Sequence, residues 1–344
     1  MTSPRSLLVL QTAFPGDVIL TLPLVQLLHE RLPEAQITVV TTPAAAPLLE
    51  GHPAVTRALP YDKRGIDAGI RGLTRMAARL RALRCDAALI PHRSLRSALV
   101  AAMARIPVRI GFDRSAGRVL LTHRVRYVPS DHEIARNIAL ARGLGIDAGG
   151  LLLPRLYPSA ADARSVDAFL RRHSPGPDGE RIAVAPGSVW ATKRWPAENY
   201  GALIRLLAER GRRVVLVGGA EDRALCARIV RMAPGAAVAD AAGRFSLNGS
   251  AALIARCGAL VANDSAPVHI ATAMGVPVVA VFGPTLPSFG FAPAGPGGVV
   301  VETAGLACRP CSIHGGNRCP TGTFDCMRRI AAERVLEALP ARSA

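Results

Sequence analysis

The sequence predicts an α/β protein made of two doubly wound halves of similar size, and three observations lead to that class. Short β-rich runs alternate with helical stretches along nearly the whole chain. A stretch punctuated by Pro154, Pro158, Pro175 and Pro177 separates two such series. Half of the 344 residues are apolar, enough for two buried cores.

In the first series, strands are expected at 7–11, 37–41, 87–90 and 108–112, with helices at 18–31 and 70–84. Ile70, Leu73, Ala77, Leu80 and Leu83 recur at helical spacing and predict one buried face. Arg71, Arg75 and Arg79 follow at i+4 on another. The proline-marked stretch holds a short helical piece at 160–171 and reads as a connection. The second series places strands at 181–185, 214–217, 236–239, 260–262, 278–282 and 299–301. Helices at 200–210, 225–232, 250–256 and 268–274 lie between them. The resulting division is an N-terminal domain over 1–155, a linker over 156–179, a C-terminal domain over 180–329, and a final helix and tail over 330–344. In such folds a ligand cleft is expected at the carboxyl ends of the strands.

The formal net charge is +17, which favours anionic partners such as nucleotides, phosphorylated sugars or an anionic membrane surface. The 42 basic residues are all arginine except Lys63 and Lys193, so both lysines stand out. Aromatics make up only 4% of the chain, too sparse for a stacking platform, and no nucleic-acid partner is expected. No secretory leader and no apolar run of transmembrane length is read, and the odd cysteine count suits a reducing cytoplasm. GxGxxG and GxxxxGK[ST] are absent; His132–Glu133 lacks the second histidine of HExxH, and no DxD pair occurs.

Four segments carry candidate chemistry. In VANDSAPVHIATAMG a strand ends in Asn263, Asp264 and Ser265 and gives way to a helix, where Ser265 is the expected N-cap. The free N–H groups of Ser265 and Ala266 offer a phosphate site, with His269 one turn inside. In VAPGSVWATKRWP a loop carries Ser188 and Lys193, and a compact ammonium with three donors suits phosphate oxygens. In QTAFPGD, Gly16 permits close backbone approach. Asp17 stands where a carboxylate serves either as a helix cap or as a general base. The fourth is the cluster Cys308, Cys311, Cys319 and Cys326; a single CxxC without a second one reads as a reduced, metal-free loop.

Taken together, these segments resemble glycosyltransferase family nine, the ADP-heptose:lipopolysaccharide heptosyltransferases, and the cysteine pattern resembles its heptosyltransferase II members. The resemblance rests on FPGDVILTLPLVQLL, PGSVWATKRWP, VVLVGGAED, NDSAPVHIATAMGVPVVAVFGPT, IPVRIGF, DHEIARN and the cysteine segment. It implies a GT-B architecture, two Rossmann-like domains facing a central cleft, and an inverting, metal-independent transfer of heptose from ADP-heptose to the lipopolysaccharide inner core. No cofactor beyond the donor substrate is implied.

Carried onto this chain, the resemblance makes Asp17 the base that deprotonates the acceptor hydroxyl. Gly16, Ser188, Lys193, Glu221, Asp264, Ser265, Ala266 and His269 become the donor-site residues; the family often has glycine where Ala266 stands. Asp17 is then expected to meet the donor through domain closure. For the lipid-linked core oligosaccharide acceptor, Lys63, Arg64 and Arg93 are the candidate contacts. The expected location is cytoplasmic and peripheral, on the inner face of the inner membrane, against its anionic surface. The alternatives are a GT-B transferase for another nucleotide sugar, or a non-catalytic protein that binds nucleotide sugars or anionic lipid.

Overall fold

A computed structural model describes residues 4–147 and 149–341. The chain divides into two compact units, Met1–Tyr157 and Pro158–Ala344.

The first unit has six strands: β1 (Ser6–Leu10), β2 (Gln36–Thr41), β3 (Arg57–Pro60), β4 (Ala87–Ile90), β5 (Val108–Phe112) and β6 (His123–Val125). Its helices are α1 (Pro15–Arg31), α2 (Gly69–Ala82), α3 (Leu95–Met103) and α4 (Glu133–Ala139). All neighbouring strands pair in parallel, in the order β3-β2-β1-β4-β5-β6. A parallel sheet covered on both faces needs continuous apolar strands. β1 and β4 meet that need, since Leu7–Leu10 and Ala87–Ile90 are buried. β3 and β6 are edge strands with half-exposed residues, so they carry no such run and the sequence pattern passes over them.

The second unit repeats the plan. Helix α5 (Ala160–His173) precedes β7 (Arg181–Ala185), α6 (Ala197–Glu209), β8 (Arg213–Leu216), α7 (Arg223–Arg231) and β9 (Val238–Asp240). There follow α8 (Leu247–Ile254), β10 (Ala259–Asn263), α9 (Ala266–Ala273), β11 (Val278–Phe282), β12 (Gly298–Glu302), α10 (Asp325–Arg328) and α11 (Ala332–Glu337). The order is β12-β11-β10-β7-β8-β9, again all parallel. Helix α5, inside the stretch read as a connection, packs on α8, and α11 packs on α6; both belong to this unit. The C-terminal segment is pinned by Ile330, whose carbonyl accepts from Trp195 Nε1 at 3.1 Å and from Asn199 Nδ2 at 3.0 Å.

One expectation about α2 is corrected. Leu73, Met76, Ala77 and Leu80 form its buried face, but Ile70 is exposed. In the first turn, Gly72 presses directly against the backbone of Asp67, so the helix start sits on the preceding loop and Ile70 is left outside. Among the described residues no helix is long and apolar enough to cross a membrane.

Candidate active site

In an open parallel sheet, ligands bind beyond the carboxyl ends of the two neighbouring strands whose connections run opposite ways. That point is β1/β4 in the first unit and β7/β10 in the second. Three of the four segments flagged in the sequence leave the sheets there, after β1, β7 and β10.

In the second unit, the loop after β7 carries Ser188 and Lys193, and β10 runs into Asp264 and α9. Lys193 Nζ lies 2.5 Å from Asp264 Oδ2, with both side chains about nine-tenths buried. The same Oδ2 accepts from Thr285 Oγ1 at 2.7 Å. An ammonium has three protons, so Lys193 can hold Asp264 and still present donors to a second anion. Asn263, fully buried, fixes this arrangement. Its Oδ1 accepts from Trp195 N at 2.9 Å and Tyr200 Oη at 3.0 Å, and its Nδ2 donates to Pro186 O at 2.8 Å. One side chain thus ties the end of β10 to both ends of the lysine loop.

Ser265 stands at the N-cap of α9, but its hydroxyl turns back to Asn263 O at 3.2 Å and caps nothing. The expected serine cap is therefore corrected, and the first N–H groups of α9 have no side-chain cap. Free N–H groups and the positive helix end suit an anion. Ala266 is the first helical residue, and His269 is buried one turn in. Glu221 lies apart on an exposed turn after β8. Its neighbour Asp222 packs against Gly187, which brings that turn beside the Ser188 loop. Ser188 contributes its carbonyl to Arg194 Nε at 2.8 Å.

The cysteine segment buttresses the same loop. Thr192 N and Oγ1 both donate to Gly316 O at 2.9 Å, and Gly316 N donates back to Thr192 Oγ1 at 2.8 Å. Arg309 binds Thr285 O at 2.8 Å and Glu302 Oε2 at 2.6 Å. All seven cysteines are free thiols, and among the described residues no group of three or more His, Cys, Asp or Glu is arranged to hold a metal ion.

In the first unit, Asp17 is the third residue of α1, and its Oδ2 accepts from Phe14 N at 3.0 Å. Gly16 is buried beside it. Lys63 reaches the β1–α1 turn, donating to Thr12 O at 2.6 Å; burial, then Arg64 and Arg96, hold its pKa down. Thr12 Oγ1 also lies 2.9 Å from His92 Nδ1. Burial, reinforced by Lys63 and Arg93, lowers His92 to about 4, so the ring is neutral at neutral pH. The Arg93 guanidinium lies 4.3 Å from the Tyr127 ring centre and that of Arg136 5.0 Å from it.

Sequence reasoning missed Glu133, the first residue of α4. It pairs with Arg136 at 2.8 Å, yet burial holds its carboxyl up at about 7; Arg136 pulls it down and the charge of Asp17 pushes it up. Asn137 of the same helix donates to Leu20 O at 3.1 Å, latching α4 to the start of α1. The sequence signal is HE in DHEIARN, which completes no zinc motif and counts only toward the resemblance. Thr285, Thr192 and Asn263 were missed as well, because hydrogen-bond partners distant in sequence leave no local pattern.

A family model described as Glycosyltransferase family 9 (heptosyltransferase) matches residues 73–314. Lipopolysaccharide heptosyltransferase 2 of Escherichia coli K12 is 32% identical over 293 residues, 82% of this chain and 84% of that protein. Lipopolysaccharide heptosyltransferase 1 of Pseudomonas aeruginosa is 30% identical over 82% of this chain and 79% of its own length. Among solved structures, the E. coli ADP-heptose lps heptosyltransferase II superposes with a TM-score of 0.78 at 28% identity, covering 97% of both chains. A family 9 glycosyl transferase from Veillonella parvula shares the fold, with a TM-score of 0.87 at 24% identity over 97% of this chain and 96% of that one.

Proposed function

Because the chain belongs to glycosyltransferase family 9, the heptosyltransferases, we propose that it transfers heptose from ADP-heptose to the lipopolysaccharide inner core, inverting the anomeric centre without a metal ion. The observation that carries this reading is the Lys193–Asp264 pair beside the uncapped start of α9. A departing diphosphate must have its charge met. An ammonium and a helix N-terminus supply fixed positive potential there without reorganisation during the reaction.

Each residue takes a role in the second unit. Lys193, Ser188 and the N–H groups of Ser265 and Ala266 hold the diphosphate, and His269 supports that turn. Asp264 faces the donor sugar, and Glu221 meets the nucleoside. In the first unit, Asp17 removes the acceptor proton beside Gly16, while Lys63, Arg64 and Arg93 bind the anionic core oligosaccharide. The acceptor oxygen forms its bond to the anomeric carbon from the face opposite the diphosphate. The carbon–oxygen bond to the diphosphate breaks, and ADP leaves with the electron pair. The lipid-linked acceptor draws the protein to the anionic inner leaflet from the cytoplasm, where the net charge of +17 favours contact.

The test is donor competition. The purified protein is given a truncated core acceptor with ADP-heptose or a UDP-hexose, and nucleoside diphosphate release is followed. Release with ADP-heptose alone supports the reading; equal or preferential use of the UDP-hexose would refute the donor.

A further inference from the structure

The first unit distributes its exposed apolar side chains unevenly. Among the described residues it exposes six large ones: Phe14, Ile66, Ile70, Leu95, Val119 and Leu151. All strands of its sheet run parallel, so each connection starts at the carboxyl edge and crosses back to the opposite edge. Phe14 follows β1, Ile66 and Ile70 follow β3, Leu95 follows β4 and Val119 follows β5. Val119 lies on the crossover that returns to the start of β6 and Leu151 follows the helical segment Leu140–Leu144, so the four at the carboxyl edge are those after β1, β3 and β4.

Ile66 and Ile70 are the most prominent, at 77% and 79% exposed. Their loop is built to keep them outside. Asp62 Oδ1 accepts from Gly65 N at 2.9 Å, and Asp67 turns inward, its Oδ2 accepting from Asp62 N at 3.2 Å. Arg96 Nη2 then straps the loop from α3, donating to Asp67 O at 2.7 Å and Gly69 O at 3.0 Å. With its polar backbone groups satisfied from within, the loop presents two β-branched apolar side chains on a fixed frame.

The charges around this knuckle are basic. Arg64 and Arg71 are exposed next to the two isoleucines, and Arg75 lies one turn further along α2. The carboxylates of the loop are engaged: Asp62 by the N–H groups of Gly65 and Ile66, and Asp67 by Asp62 N and Arg75. An apolar tip inside a cationic rim is complementary to a bilayer with anionic headgroups, where the tip enters the acyl boundary and the rim meets phosphates. We propose that Ile66 and Ile70 form a membrane-insertion knuckle that seats the connection between β3 and α2 on an anionic bilayer. This rests on the lipid-anchored acceptor proposed above, and it assigns the docking to a defined apolar contact in addition to charge.

The test uses the full-length protein without donor or acceptor, so its outcome is independent of the transfer assay. Co-sedimentation is measured with vesicles of phosphatidylglycerol and phosphatidylcholine, and with phosphatidylcholine alone. The wild type is expected to bind the anionic vesicles. Ile66→Ser/Ile70→Ser should bind at least about 10-fold more weakly, the scale set by losing two partly inserted isoleucines. Its melting temperature should be unchanged, because both side chains are exposed. An environment-sensitive dye on Ile70→Cys should shift to an apolar signal with anionic vesicles only. Unaltered vesicle binding by the double variant, or an unshifted dye on bound protein, would overturn the proposal. So would a wild-type dimer that the double variant dissolves, since a second copy would then be the occupant.

Discussion

Replacing Asn263 by alanine tests how the lysine loop is held. The amide is fully buried and serves three strong bonds, to Trp195 N, Tyr200 Oη and Pro186 O, at 2.8–3.0 Å. Alanine leaves all three partners in place without a mate. A buried polar group left unsatisfied costs about 1–3 kcal/mol, so the sum for three is roughly 3–9 kcal/mol, a large share of the 5–15 kcal/mol typical of a domain. The chain's two tryptophans, Trp190 and Trp195, both lie in the second unit, so urea unfolding followed by their emission reports on that unit. Tyr200→Phe removes one bond and should cost about 1 kcal/mol. In the double variant the tyrosine hydroxyl is no longer orphaned, so the combined loss should fall short of the sum by about 1 kcal/mol. ADP affinity should drop together with stability, because Lys193 rides on the released loop. A loss below about 1 kcal/mol for Asn263→Ala, or strict additivity with Tyr200→Phe, would refute the argument.

Further outcomes follow from other sites. Lys193→Ala should weaken ADP binding by calorimetry, and Lys193→Arg should recover only part, since a planar guanidinium does not reproduce a compact ammonium paired at 2.5 Å with Asp264. His52 is buried against Tyr157, and burial followed by His29 lowers it to about 4. The unfolded chain protonates near 6.5 while the folded ring resists until about 4, so stability falls as pH drops through that window. The effect is on the order of 3 kcal/mol, and His52→Asn should flatten this acid limb in urea titrations at pH 7 and 4.5. Reversing Arg71, Arg75 and Arg79 to Glu should reduce co-sedimentation with anionic vesicles at low salt and leave turnover on a lipid-free acceptor largely intact.

Much of this was legible in the sequence because parallel sheets buried on both faces write continuous apolar runs. β1, β4, β7 and β11 were placed within a residue or so, and the two doubly wound series followed from them. The Lys193 and Asp264 segments stood out because one lysine among arginines and a strand–turn–helix junction are local signals. Edge strands β3 and β6 were illegible, since half-exposed residues carry no run. Ile70 was misplaced because periodicity cannot see that Gly72 seats the helix start on Asp67. Glu133 was hidden for a related reason: its surroundings form where Asn137 latches α4 to α1, a contact 117 residues apart in sequence.

Mass spectrometry of the product decides whether the chain catalyses heptosyl transfer with Asp17 as the base. Wild type and Asp17→Ala are each incubated with ADP-heptose and a truncated core acceptor. The wild type should yield acceptor enlarged by one heptosyl unit, with ADP in equal amount. Asp17→Ala, folded with normal melting, should be slower by at least about 100-fold, the usual scale for a positioned base. An unmodified acceptor with the wild type would rule out heptosyl transfer, and near-normal turnover by Asp17→Ala would rule out Asp17 as its base.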